Sequence, residues 1–134
     1  MMFLIHIIIA YAAALLIDGV WLRLASPLYL PAYAPFMQLD ASGTTQINMA
    51  AGLMAWFFIV LGNYVFVTPM TYLIWWKSAF WGFCFGVIIY GVYNTTNMAV
   101  FSQWSMMISM IDIVWGGVFN ALIALVILLA QKHW

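Results

Sequence analysis

The sequence predicts an all-α membrane protein, a four-transmembrane-helix bundle with a proline- and aromatic-rich interfacial segment between helices 1 and 2. Three observations support this prediction: 69% of the 134 residues are hydrophobic, only 4% are charged, and the apolar residues fall into four long runs. Such a chain has too little polar surface to face water on all sides. The connections contain no stretch long enough for a second domain, so we expect residues 1–134 to form one transmembrane domain.

Each apolar run is long enough to cross a bilayer core of about 30 Å, which takes about 20 residues. We predict spans at residues 2–24, 47–67, 78–98 and 105–130. Residues 1–14 contain no Lys or Arg, so the first run lacks the basic start of a secretory signal and should remain as a helix. Four spans place both termini on one side of the membrane.

The basic residues predict an orientation. Lys77, Lys132 and His133 fall on the side of the termini, whereas Arg23 falls opposite. The positive-inside rule therefore predicts that both termini are cytoplasmic. A net charge of zero offers no electrostatic footprint for nucleic acid, so membrane lipids are the expected partners and nucleic acid is not.

The connection at residues 26–46 is rich in proline and aromatic residues. Pro27, Pro31 and Pro35 recur every four residues, and each lacks the N–H that a helix interior needs. We therefore expect a short non-helical lid in the membrane interface, the depth that Tyr and Trp favour. Five tryptophans near the span ends are predicted to form an interfacial belt at the same depths: Trp75, Trp76, Trp81, Trp104 and Trp134.

Two aspartates lie inside predicted spans, within two copies of one short phrase. Residues 16–21 read LIDGVW around Asp18, residues 110–115 read MIDIVW around Asp112, and the chain has only three acidic residues. An ionised Asp at the bilayer centre costs about 2.5 to 3.5 kcal/mol on insertion scales, so it indicates a functional site with a partner. Both lie about 10 Å inside span ends on one side of the membrane. We predict two halves of one site, with each carboxylate a candidate partner for the other.

Further polar residues are predicted at the same depth. Steps of three or four define two small-and-polar stripes on the third and fourth spans: Gly82, Gly86, Tyr90 and Asn94, and Ser109, Asp112, Gly116 and Asn120. Asn48 enters from the same side. We expect the opposite half of the bundle to be mainly Leu, Ile, Val, Phe and Met, with His6 there a satisfied or interfacial histidine. The predicted ligand- or proton-binding residues are Asp18, Asp112, Asn94, Asn97, Tyr90, Tyr93, Trp21 and Trp115.

A structural role is the alternative, because polar side chains also bond one another across membrane helices, at about 0.6 kcal/mol each. Two carboxylates are a costly choice for that task, which favours a functional pocket. We expect no cofactor, because the spans lack an HExxH or GxSxG pattern and a second histidine for haem. We also expect no metal, since hard cations usually take six or more oxygen ligands. Catalytic residues stay unassigned.

Over almost its whole length the chain resembles a family of small predicted bacterial membrane proteins, domain of unknown function 2177. The resemblance rests on IDGVWL at residues 17–22, YGVYNTTNMA at 90–99 and DIVWG at 112–116. The family pattern has Asp after the second tyrosine, where this chain has Asn94, so any role of a third carboxylate in relatives is in doubt here. Relatives are often encoded near lipid-modifying enzymes. The resemblance implies a bacterial inner-membrane protein, accessory to membrane-lipid modification.

Three hypotheses for function follow from the sequence. The first is a binding protein whose pocket holds a lipid headgroup or a small polar ligand. The second is a small proton-coupled transporter that works as a homodimer, with a carboxylate exchanging a proton for substrate. The third is an intramembrane lipid enzyme that uses the two aspartates as acid and base. No nucleophile accompanies them, so we expect binding rather than catalysis.

Overall fold

The computed structural model describes residues 1–133, all-α with four segments long and apolar enough to span a membrane. Trp134, which was predicted to belong to the interfacial belt, lies outside the described residues. The helices are α1 (Met2–Tyr33), followed by a 3-10 turn (Ala34–Phe36); α2 (Met49–Gly62), continued by a π-helical segment (Asn63–Val67) and α3 (Thr68–Thr71); α4 (Trp75–Val100); and α5 (Met106–His133). The predicted four-helix architecture is confirmed. We call the side of the chain ends the termini side, and the side of residues 34–48 and 101–105 the loop side.

The first helix continues through two prolines, which corrects the predicted non-helical lid. Pro27 and Pro31 both lie inside α1. A proline lacks the N–H that would bond the carbonyl four residues earlier, and it crowds that carbonyl. Here the Ser26 hydroxyl donates to the Arg23 carbonyl at 2.9 Å, so the acceptor that Pro27 leaves without its helical partner is satisfied. The extra turns bring Tyr29 onto the bundle, where it is buried.

Only the later part of the first connection is non-helical. Its tip is a turn in which Gly43 adopts a left-handed backbone with φ of 81°. The Asp40 carboxylate accepts the backbone N–H of Ser42 at 2.8 Å and that of Thr44 at 2.9 Å. These bonds and the Ser42 hydroxyl lower the pKa of Asp40 below its ordinary value. The third acidic residue therefore stabilises a loop turn and takes no part in the membrane interior.

The second span ends in a register change. The backbone passes from α2 into the π-helical segment and then α3, so helix occupies part of the predicted 68–77 link, a second correction. The turn before α4 is made by Tyr72 and Leu73, with φ of 49° and 58°. Left-handed conformation is uncommon for residues with bulky side chains. A π-bulge often occurs at functional positions, and this one carries the fully buried Asn63.

Helices α4 and α5 pack closely because the predicted glycine stripes face each other. A Cβ on Gly82 would come within 2.6 Å of the Asn120 carbonyl oxygen, and one on Gly86 would overlap the Gly116 carbonyl. Small residues let backbones approach in this way in membrane helices. The resulting α4–α5 pair is the most extensive helix contact, and α1 packs on α5 beside it.

The termini half of the bundle is mainly apolar but also contains buried polar side chains that the sequence analysis did not identify. A dry core that includes Ala10, Val60, Phe119 and Ile123, all fully buried, occupies the middle. Beyond it lie buried polar side chains from several helices: His6, Thr71 and Ser78. Single polar residues spread along three separate helices gave no local signal in the sequence. Their meeting follows from tertiary packing.

Candidate functional site

Asp18 is held by two tryptophans from other helices. Its side chain is 7% exposed, Oδ2 accepts the indole N–H of Trp56 at 2.7 Å, and Oδ1 accepts that of Trp115 at 2.8 Å. An indole nitrogen can only donate, so both carboxylate oxygens act as acceptors. Both donors are neutral, one on α2 and the other on α5.

Asp112 has a separate pair of donors. Oδ1 accepts the Tyr29 hydroxyl at 3.1 Å and Oδ2 accepts the Asn94 amide at 2.7 Å. The Asn94 amide also donates to the Tyr90 carbonyl at 3.0 Å, and its oxygen accepts the Trp104 indole at 3.4 Å. These partners fix which end of the fully buried amide faces the carboxylate. Asp112 is therefore supported from α1, α4 and, through Trp104, the α4–α5 link.

The two carboxylates do not bond each other directly. Among the described residues, every oxygen of Asp18 and Asp112 has a neutral donor from elsewhere. Each was predicted to be a candidate partner of the other. They instead face a shared cavity of about 450 Å³.

The cavity, which we call the carboxylate cavity, is lined by all four spans and, within the described residues, by no basic side chain. Asp18 and Asp112 supply its carboxyl groups, and the remainder is aromatic or aliphatic. The other lining residues are Trp21, Leu22, Tyr33, Ala55, Ile59, Ile89, Tyr90, Tyr93 and Trp115. A mostly apolar cavity with few convergent polar groups is the usual form of a small-ligand site.

The two copies of the sequence phrase interlock through their tryptophans. Trp21 stacks on Trp115 with ring centroids 4.3 Å apart and planes 10° from parallel. Trp115, from the second phrase, donates to Asp18, from the first. The reciprocal bond is not made, and the buried Nε1 of Trp21 has no partner among residues 1–133. The two phrases therefore meet at one cavity, but their contacts are not symmetrical.

The cavity lies where α2 and α4 are not packed against each other. The second span reaches α4 through α3 and the π-helical segment on the termini side, whereas α2 has no extended contact with α4. Ala55 and Ile59 on α2 therefore face Ile89 and Tyr93 on α4 across the cavity. We call this separation the lateral gap. An aromatic cluster lies at its loop side, formed by Tyr33, Phe36, Phe101 and Trp104.

Most predicted site residues come together. Asn94 bonds Asp112, and Asp18, Asp112, Tyr90, Tyr93, Trp21 and Trp115 line the carboxylate cavity. Asn97 does not line it, because it lies almost a turn farther along α4 and is only half-buried. Asn48 instead caps α2 by accepting the Ala51 N–H at 3.1 Å.

Sequence reasoning missed three contributors. Trp56 lies in the middle of an apolar run, where an indole N–H needs an acceptor that lipid cannot supply. The need for a hydrogen-bond acceptor within the protein could have identified Trp56 from the sequence. Tyr29 was assigned to the interfacial segment and Trp104 to the belt, and neither was predicted to contact the site. Trp104 is half-buried and donates to Asn94. Trp75, Trp76 and Trp81 are exposed on α4.

Comparison with known proteins identifies the family of this chain. The family model described as predicted membrane protein (DUF2177) matches residues 3–129. The chain belongs to this family. The DUF2177 match confirms the resemblance inferred from the three motifs and establishes a membrane protein, without assigning an activity. No curated protein and no solved structure matches the chain.

Proposed function

We propose that the carboxylate cavity binds the positively charged amine of a lipid headgroup or of a small polar ligand. The observation that carries the proposal is the pair of carboxylates facing one cavity that no basic side chain of residues 1–133 lines. Each is over 90% buried, with 7% of Asp18 and 9% of Asp112 exposed. Uncompensated negative charge in a low-dielectric site repels anions and attracts cations.

The aromatic walls support the same ligand chemistry. An ammonium group gains about 0.5 to 2 kcal/mol from the face of an aromatic ring. Trp21, Trp115 and Tyr90 line the cavity beside the two carboxylates. An amine among them would have carboxylate oxygens as hydrogen-bond acceptors and ring faces around its methylene groups, a combination that fits an aminoalkyl headgroup.

The lateral gap supports a ligand that arrives from the bilayer. Leu22 and Ala55 at the cavity are exposed on the outer surface of the bundle, a surface that lipid would cover. A headgroup at this depth would keep its acyl chains in the bilayer while its amine reached the carboxylates. The proposal includes an accessory role in membrane-lipid modification, as the family resemblance implies.

The same proposal covers location and orientation. A bacterial inner membrane with cytoplasmic termini places Lys77 and Lys132 in the cytoplasm. The carboxylate cavity would then lie toward the opposite leaflet. Cysteine accessibility labelling at residues 41 and 133 in intact cells tests this, because opposite labelling would reverse the assignment.

Binding is tested by native mass spectrometry of the purified protein titrated with phosphatidylethanolamine, phosphatidylglycerol and free ethanolamine. The isosteric variants Asp18→Asn and Asp112→Asn should lower ethanolamine-headgroup affinity by roughly tenfold or more, the loss of one charged hydrogen bond. Asp40→Asn is the matched control, because its carboxylate lies in the loop. Wild-type affinity in both membrane variants would refute the proposal.

Two further assays separate the alternative hypotheses. Substrate-dependent proton flux in liposomes, lost in both Asp variants, would favour the homodimeric transporter over a binding protein. Conversion of a labelled lipid, lost in the same variants, would favour the enzyme. Selective binding with neither activity is the result we expect. If a ligand without an amine binds equally well, the protein would still be a binding protein, but the proposal of a positively charged ligand would be refuted.

A further inference from the structure

A second group of buried polar atoms lies near the termini side, without partners among the described residues. His6 is 4% exposed and its Nε2 has no hydrogen-bond partner there. Gln131 Oε1 and Ser78 Oγ are also buried and have no hydrogen-bond partner among the described residues. Nearly all buried polar atoms in proteins are paired, so each exception calls for an explanation such as a bound group.

The contact of the His6 ring with Tyr64 indicates which nitrogen is available to a ligand. Nδ1 lies 3.5 Å from the Tyr64 hydroxyl, a contact in which either group can donate. In the tautomer whose Nδ1 accepts the hydroxyl hydrogen bond, the ring proton is on Nε2. The unpartnered atom is then an N–H donor. Its complement is a ligand atom that accepts.

An open groove of about 440 Å³ connects these atoms to the surface. It is lined by His6, Thr68, Pro69, Tyr72, Leu73 and Gln131. A small gap behind it shares Thr68 and Gln131 and includes Ser78. His6 is four residues from the start of α1, about 6 Å along the helix. The groove, which we call the His6 groove, therefore lies near the termini-side end of the bundle.

Charge at this end is positive. Lys77 Nζ lies 5.6 Å from the ring centre of Tyr72, on the rim of the groove, and Lys132 directly follows Gln131. The three acidic residues of the chain, at positions 18, 40 and 112, all lie toward the loop side. Basic side chains beside a membrane attract anionic headgroups by about 1 kcal/mol each.

We propose that the His6 groove is a second ligand site, which binds a phosphate group, either in an anionic phospholipid headgroup or as inorganic phosphate. His6 Nε2 donates to a phosphate oxygen, Lys77 supplies charge at the rim, and Gln131 bonds a headgroup hydroxyl. This site is separate from the carboxylate cavity and does not depend on its proposed function. The dry core around Ala10 and Phe119 lies between them.

The test is native mass spectrometry with phosphatidylglycerol, phosphatidylcholine and inorganic phosphate as probes. His6→Phe, which keeps a buried ring and removes the donor, should weaken phosphatidylglycerol binding roughly tenfold or more. His6→Gln, which keeps an amide N–H, should restore part of that affinity. His133→Phe is the matched control, because this exposed histidine does not line the groove.

The probes distinguish the two sources of phosphate. Displacement of phosphatidylglycerol by inorganic phosphate would assign recognition to the phosphate alone, whereas resistance to it would assign the intact headgroup; both support the site. Lys77→Gln, on the surface, is the second variant if His6→Phe does not fold, and it should weaken binding in the same direction. Equal affinity in wild type, His6→Gln and Lys77→Gln, or equal loss in His133→Phe, would overturn the proposal.

Discussion

Asn94 on α4 donates a hydrogen bond of 2.7 Å to Asp112 on α5. The donor is neutral. The Asn94 amide also bonds the Tyr90 carbonyl on its own helix, which holds it toward α5. In this chain the residue therefore stabilises a carboxylate that a third acidic residue would repel.

Asn94→Asp should destabilise the bundle at neutral pH. Two carboxylates at hydrogen-bond distance cannot both be ionised without strong repulsion, and breaking a buried polar pair in this way costs about 3 kcal/mol. Acidification should reduce the defect, because a proton shared between the two groups restores a donor. Thermal unfolding in nanodiscs at acidic and neutral pH measures this effect.

The control for that variant is Asn97→Asp, on the same helix but outside the carboxylate cavity. It should unfold close to wild type at both pH values. An Asn94→Asp protein as stable as wild type at neutral pH would mean that the Asn94–Asp112 bond does not hold the helices together.

Tyr29→Phe should weaken the support of Asp112. The hydroxyl bond of 3.1 Å to Oδ1 is lost while the ring packing is kept, so we expect a loss of about 1 to 2 kcal/mol in unfolding free energy. Tyr33→Phe is the comparison, because its ring lines the cavity and its hydroxyl makes no hydrogen bond in the described structure. Equal stability of the two variants in a denaturant titration would contradict the role given to Tyr29.

Gly86→Ala should disrupt the α4–α5 interface. A Cβ at this position would overlap the Gly116 carbonyl, which is backbone and cannot rotate away. Overpacking of this kind typically costs about 1 to 3 kcal/mol. Gly91→Ala on the same helix meets nothing within 4 Å and should be neutral or stabilise by up to about 1 kcal/mol. Thermal unfolding of both variants tests the prediction, which fails if Gly86→Ala is the more stable protein.

The Asp40 turn should depend on pH in a defined direction. The pKa of Asp40 is lowered, first by the Ser42 hydroxyl and then by the backbone N–H groups of Thr44 and Ser42. A lowered pKa means that the stabilisation is complete above the ordinary carboxyl pKa and is lost as pH falls through the lowered value. Hydrogen exchange at the Ser42 and Thr44 amides, corrected for intrinsic rates, should show that loss. In Asp40→Asn the protection should no longer change with pH.

Sequence patterns predicted the spans and most of the site because both depend on strong local rules. A run of about 20 apolar residues has few alternatives to a membrane helix, and an intramembrane Asp stands out by rarity. The two small-and-polar stripes also contain the glycines at which α4 and α5 approach each other, Gly86 and Gly116.

Other features were missed because they depend either on a single local hydrogen bond or on partners distant in the chain. The helix through Pro27 requires the Ser26 hydroxyl at the Arg23 carbonyl, a local bond that the proline spacing concealed. Trp56 serves Asp18 from another helix, and the termini-side polar group around His6 comes from α1, α4 and α5. The periodicity of a single segment does not predict which residues of different helices come into contact.

The lateral gap between α2 and α4 determines which ligand concentration controls binding to this protein. A molecule that enters through a side opening meets the protein by diffusion in two dimensions, within one leaflet. Occupancy then follows the mole fraction of that molecule among the surrounding lipids, not its concentration in buffer. Detergent, which dilutes native lipids into micelles, would empty such a cavity during purification even when it is filled in the cell.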